Sequence, residues 1–250
     1  MVEPLFDVQK VKVQFFVLAP FLINNYMNLY NTLYNYLLNC PTILEAISDI
    51  GDKEAEEKGA ATEKAFAKML SRTFGRGYYI EKSRHRELED AYKNFLEGNA
   101  DWFQATNDQE TLDHFDFGIR ENNKITRIEV KGNKDKIISM ALSKKLRIKN
   151  ADPGKGLFIE LQGVTGRPGW VWGKADYVAF QNKDESSFTA WTLPAIRQLV
   201  VKKDLNNAPI ATKIEDAVYA RYQRPTKRDF VTIISTDEIK TFGGHKVIFR

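Results

Sequence analysis

The sequence contains one cysteine, Cys40, which excludes an intramolecular disulfide and any zinc site built from cysteines. Its apolar neighbours Leu37, Leu38 and Ile43 suit a core thiol better than a nucleophile. Histidine is nearly as scarce. His85, His114 and His245 are scattered, and no spacing of the HExxH kind links them. The most apolar run, Phe15 to Ile23, is about half of the ~20 residues a membrane span requires. Glu3 and Asp7 stand where a signal peptide would carry basic residues. A cytoplasmic protein that meets no membrane is therefore expected. The chain has no internal repeat, no low-complexity tract, no flexible linker and no P-loop, which argues against a self-contained ATP-driven machine. What remains is an ordinary globular composition, 43% apolar and 28% charged over 250 residues. The net charge of +4 permits a nucleic-acid partner without requiring one.

The most informative stretch is residues 113 to 132. Phe115, Phe117 and Ile119 alternate with Asp116 and Gly118, as in a strand. Glu121-Asn122-Asn123-Lys124 is polar, and asparagine tolerates the positive φ of a tight turn. Alternation then resumes, with Ile125, Arg127, Glu129 and Lys131 on one side and Thr126, Ile128 and Val130 on the other. The pattern predicts a β-hairpin. Period two places Glu129 and Lys131 on one face, about 7 Å apart, within reach of Asp116 on the neighbouring strand. Two carboxylates and an ammonium converging on a sheet suit a hard divalent cation and phosphodiester hydrolysis. The competing explanation is a solvated hairpin face with paired charges.

Asp116 followed by Glu129-Val130-Lys131 across a short hairpin resembles the PD-(D/E)xK nuclease superfamily, over roughly residues 54 to 181. Phe115 stands where the motif name has proline. The resemblance implies a restriction-endonuclease-like α/β fold, a mixed central β-sheet flanked by helices. It also implies that Asp116, Glu129 and the Val130 carbonyl bind Mg²⁺, with Mn²⁺ as a substitute, and that Lys131 is the catalytic lysine. Members often carry a glutamate on the first core helix. Glu63 is the candidate here, and a surface role is its alternative. The stretch Gly169-Trp170 to Phe180 is similar to what phage and bacterial members carry after their catalytic strands.

The rest of the chain is read around that centre. Residues 5 to 18 suggest a strand. Residues 21 to 38 form an amphipathic pattern with Tyr26, Tyr30 and Tyr34, and a short helix over Ile43 to Ile50 follows. Residues 1–52 are taken as an N-terminal addition, which could supply a homodimer contact. A helix over 53 to 74, a short core strand at Tyr78-Tyr79-Ile80, and a helix over 84 to 98 come next. Residues 99 to 112 read as a loop; Asp101, Asp108 and Asp113 could add carboxylates to the site, but cap or turn roles suit them better. Leu157 to Gln162 reads as a buried strand beside the Glu129 strand, with Glu160 or, preferably, Gln162 facing the site. Trp170 to Trp172 reads as a short strand, with Lys174 as a phosphate contact and the tryptophans as packing or stacking groups.

The nuclease core is expected to span 53–181. Residues 182–250 are expected as a C-terminal extension packed on it, with a helix over 192 to 203. In that extension Arg221, Arg224, Lys227 and Arg228 surround Tyr219 and Tyr222, a candidate DNA-backbone patch. The expected activity is metal-dependent, endonucleolytic hydrolysis of phosphodiester bonds in DNA; the alternative is a catalytically silent nucleic-acid- or protein-binding module with the same fold.

Overall fold

The predicted hairpin lies at the centre of a six-stranded sheet. Strands β2 (Phe117–Glu121) and β3 (Lys124–Lys131) pair antiparallel, with Glu121 opposite Lys124. That register leaves Asn122 and Asn123 as a two-residue turn at φ 49° and 62°, the left-handed pair that follows the twist of the strands. The sheet continues on one side with β1 (Trp102–Gln104). On the other side come β5 (Tyr177–Gln181), β6 (Phe188–Thr192) and β10 (Lys246–Phe249). The β3–β5 pair is parallel, with Glu129 opposite Val178 and Lys131 opposite Phe180, and the other pairs are antiparallel.

The computed structural model describes residues 41–225 and 227–250, with side chains from residue 53 onward. The strand expected at 5–18, the helix expected at 21–38, its dimer contact and Cys40 lie outside the described residues. By its internal contacts the chain divides after Ala55, and Glu56–Arg250 forms one unit that contains both sheets. No helix among the described residues is long and apolar enough to cross a membrane.

Helix α1 (Pro41–Thr73) replaces the two separate helices expected over this region. From Glu56 on, its apolar stripe Phe66, Met69 and Leu70 buries against Phe117, Ile128, Val130 and Phe188 on one face of the sheet. Phe66 meets Phe188 edge-on at 4.9 Å. Complete burial of one such ring contributes about 1.5–3 kcal/mol. The opposite face carries Phe103, Val178, Phe180 and Trp191, which pack with Trp170 and with Ile196 and Leu199 of helix α4 (Leu193–Lys202). Helix α2 (His85–Leu96) buries Leu88 and Phe95, and Phe95 joins this second cluster beside Phe103.

A second sheet has the order β4 (Gly156–Gln162), β9 (Phe230–Ser235), β8 (Arg221–Gln223), β7 (Ile210–Ala211). It too is mixed, with β7 parallel to β8. Helix α3 (Asp135–Leu146) buries Ile138, Ala141 and Leu142 in a cluster with Ile233 of β9. A short helix, α5 (Thr236–Thr241), follows β9 and is capped by Ser235, whose hydroxyl accepts from Asp237 N. The architecture is thus a mixed α/β protein with two mixed sheets.

Several expectations are corrected. Leu157–Gln162 does not lie beside β3; it pairs with β9, and β5 takes the place next to β3. An apolar strand reports burial on both faces, but its sequence does not name its neighbour. Tyr78-Tyr79-Ile80 is not a strand. Tyr78 is 76% exposed, and Ile80 N donates to the Gln104 side chain rather than to a backbone ladder. The first strand of the sheet is Trp102–Gln104, inside the stretch expected to be a loop. Phe115 and Phe117 do not share a face, because β2 begins only at Phe117 and the two rings belong to different clusters. Trp170–Trp172 is a 3₁₀ turn, not a strand. Residues 182–250 contribute strands to both sheets.

Candidate metal centre

Asp116 stands one residue ahead of β2, in backbone that is already satisfied. Its N–H donates to Ile128 O at 2.9 Å, and its carbonyl accepts from Ala105 N at 2.8 Å. Its carboxylate accepts from Val130 N at 2.6 Å, so β3 holds the side chain in place. Glu63 reaches the same spot from α1. It lies three, four and seven residues before Phe66, Ala67 and Leu70, and therefore on the buried stripe of the helix. That position leaves Glu63 8% exposed.

Glu110 supplies a third carboxylate. It sits on a π-helical turn, Gln109–Asp113, that ends where His114 adopts φ 50°. The turn is started by a reciprocal pair: Thr106 N donates to Gln109 Oε1 at 3.0 Å, and Gln109 N donates to Thr106 Oγ1 at 3.4 Å. One oxygen each from Glu63, Glu110 and Asp116 lie within 4.8 Å of one another. Lys82 Nζ donates to Glu63 Oε1 at 2.8 Å and to Glu110 Oε1 at 2.6 Å. The other Glu63 oxygen, Oε2, is buried and has no hydrogen-bond partner.

Glu129 and Lys131 form the adjoining part of the site. Period two along β3 turns them away from Ile128 and Val130, which face α1. Their ion pair is short, Lys131 Nζ to Glu129 Oε1 at 2.5 Å. The centre is crowded with negative charge. Burial, then Glu129, raises the Asp116 pKa, with Lys131 opposing. Burial likewise raises Glu129, with Lys131 opposing. Burial and then Asp116 push Glu63 up to about 7. Burial works against the Lys131 ammonium, but Glu129 and Asp116 outweigh it and hold its pKa above the ordinary lysine value. The same balance, with Glu63 as the leading carboxylate, raises Lys82.

The buried Glu/Glu/Asp group could hold a metal ion. Oxygen donors of this kind suit a hard divalent cation. A bound cation would give the unpartnered Glu63 Oε2 a partner. The structure brings together Glu63 and Asp116, both proposed from sequence, and sets Glu129 and Lys131 beside each other. It adds Glu110 and Lys82, which sequence reasoning missed. For Glu110 a signal existed: Thr106-x-x-Gln109 is a helix-start pattern.

The other candidates are placed as follows. Lys174 is ion-paired with Asp113 at 2.7 Å. Arg221 donates to Ala208 O at 2.8 Å and stacks over Phe230. Arg224 pairs with buried Asp229 at 2.6 Å. Gln162, favoured for the site, instead donates to Arg228 O at 2.6 Å. Asp101 accepts from Arg76 N at 2.8 Å, a contact between distant parts of the chain rather than a local turn bond. Trp172 Nε1 donates to Leu161 O at 3.0 Å, and Trp170 is buried against Phe180, which is packing rather than base stacking. Comparison of the chain with protein-family models, with curated proteins and with solved structures finds no match.

Proposed function

We propose that this protein is a metal-dependent deoxyribonuclease of the PD-(D/E)xK type, with a restriction-endonuclease-like core built on β1, β2, β3 and β5. The observation that carries the reading is the buried carboxylate cluster, with one unpartnered oxygen, beside a Glu-x-Lys strand. Asp116, Glu63 and Glu110 would hold a divalent cation, Mg²⁺ or Mn²⁺, and the resemblance adds Glu129 and the Val130 carbonyl. A cation held there offsets charge on a phosphodiester and acidifies a water.

The side chains divide the remaining work. The Lys131 ammonium, paired with Glu129 at 2.5 Å, is placed to orient the attacking water or to stabilise charge on the phosphate. Glu129 fixes its position. Val130 N, by donating to Asp116, keeps that carboxylate turned into the cluster.

The test is cleavage with Mg²⁺ or Mn²⁺ of a panel: linear duplex, single strand, supercoiled circle, flap and four-way junction. Wild type is expected to cut at least one. Asp116→Asn and Lys131→Ala are each expected to lose roughly 100-fold or more, the scale of removing one charge-stabilising group. Variants that cut at the wild-type rate would refute the site assignment.

A second reading, a catalytically silent binding module, draws on Lys82, whose ammonium already neutralises Glu63 and Glu110. Calorimetric titration with Mn²⁺ separates the two. The nuclease reading requires binding that weakens in Asp116→Asn, whereas a silent module shows no difference.

A further inference from the structure

Lys131 belongs to two places at once. It is paired with Glu129 at the metal centre, and it also lines a cleft of about 480 Å³. The cleft lies where the end of β3 and the start of α3 face the second sheet. Lys134, Arg224 and Lys227 line it together with Lys131 and Glu160; Lys131 is paired with Glu129 and Arg224 with Asp229. Its apolar surface includes the aromatic rings of Phe158 on β4 and Tyr222 on β8. Lys134 makes no ion pair among the described residues; its ammonium lies 5.5 Å from the Phe158 ring centroid. Burial, then Lys131 and Arg224, lowers its pKa, so the cleft crowds cations that a bound anion would relieve.

Cations that track a phosphate backbone, interleaved with rings on which bases stack, are the chemistry of single-stranded nucleic-acid sites. The size agrees. A cavity of this volume encloses one small-molecule-sized group.

We propose that this cleft seats an unpaired nucleotide next to the scissile phosphate, with Lys134 as a phosphate-positioning residue and Tyr222 as the stacking ring. The substrate is therefore single-stranded DNA or the unpaired part of a flap or frayed end. This rests on the nuclease reading for the scissile phosphate, but the cleft itself can be tested without metal or cleavage.

The experiment is anisotropy binding of a labelled oligothymidine strand, and of the same strand annealed to its complement, to the full-length protein in EDTA. The single strand is expected to bind about ten-fold more tightly than the duplex, and Lys134→Ala to lose about ten-fold on the single strand. Tyr222→Leu, which keeps the apolar bulk, is expected to lose a comparable factor. Wild-type protein that binds in this pattern yet cuts no substrate in Mg²⁺ or Mn²⁺ removes the nuclease reading and leaves the cleft standing. Equal binding of strand and duplex overturns the proposal. So do Lys134→Ala and Tyr222→Leu proteins that melt like wild type and bind the single strand unchanged.

Discussion

Glu63 occupies the buried stripe of α1, and burial raises its pKa from an ordinary 4.5 to about 7. Between those values the folded protein keeps a proton that the unfolded chain has released. Its contribution to stability is therefore fully present below pH 4.5 and is lost as pH rises through 7. A shift of that size corresponds to something on the order of 3 kcal/mol. Asp116 moves in the same direction. The metal-free protein is thus expected to melt at a higher temperature at pH 5 than at pH 8. Saturating Mn²⁺ at pH 8 should recover much of the difference, because a cation favours the ionised carboxylates. Thermal unfolding in EDTA and in Mn²⁺, at both pH values, checks this; a metal-free midpoint that rises with pH contradicts the assignment of these groups.

The elements owe their positions to contacts that small residues permit. Gly118 in β2 lies under the Phe103 ring, and an added Cβ would sit 2.1 Å from a ring carbon. Gly118→Ala is expected to cost about 1–3 kcal/mol, as overpacking does in a filled core. Urea unfolding measures it, and an unchanged midpoint would mean that Phe103 has room to move. The β2–β3 hairpin was legible because alternation and an Asn-Asn turn both pointed to it. Asp116, Glu129 and Lys131 came with it. Glu63 was legible from the apolar spacing of α1. Glu110 was not, because a polar stretch hides a π-turn whose only mark is the Thr106–Gln109 pair. The second sheet was equally hidden. Leu157 to Gln162 advertises its burial, but pairing with β9 depends on a strand some seventy positions later. The basic residues were legible as a group, while the partners that occupy Lys174, Arg221 and Arg224 were not.

Over the whole molecule, the end of the chain completes the sheet that carries the site. β10 pairs with β6, and Phe249 lies 5.7 Å from Phe66 in the cluster under α1. Removing residues 244–250 is therefore expected to lower the melting temperature by several degrees, as losing a packed edge strand should. Truncated protein that melts with wild type would show that the terminal strand is dispensable. The parallel pairing of β3 with β5 carries one more implication. Residues 132–176 separate these neighbours, and within them β4 leaves to pair with β9 in the other sheet. Joining β3 to β5 thus closes a long loop, and neither sheet can be assembled from consecutive chain alone. Such non-local pairings slow folding. The strand bearing Glu129 and Lys131 gains its second neighbour only when that loop closes, so these two residues reach their final setting through a non-local step of folding.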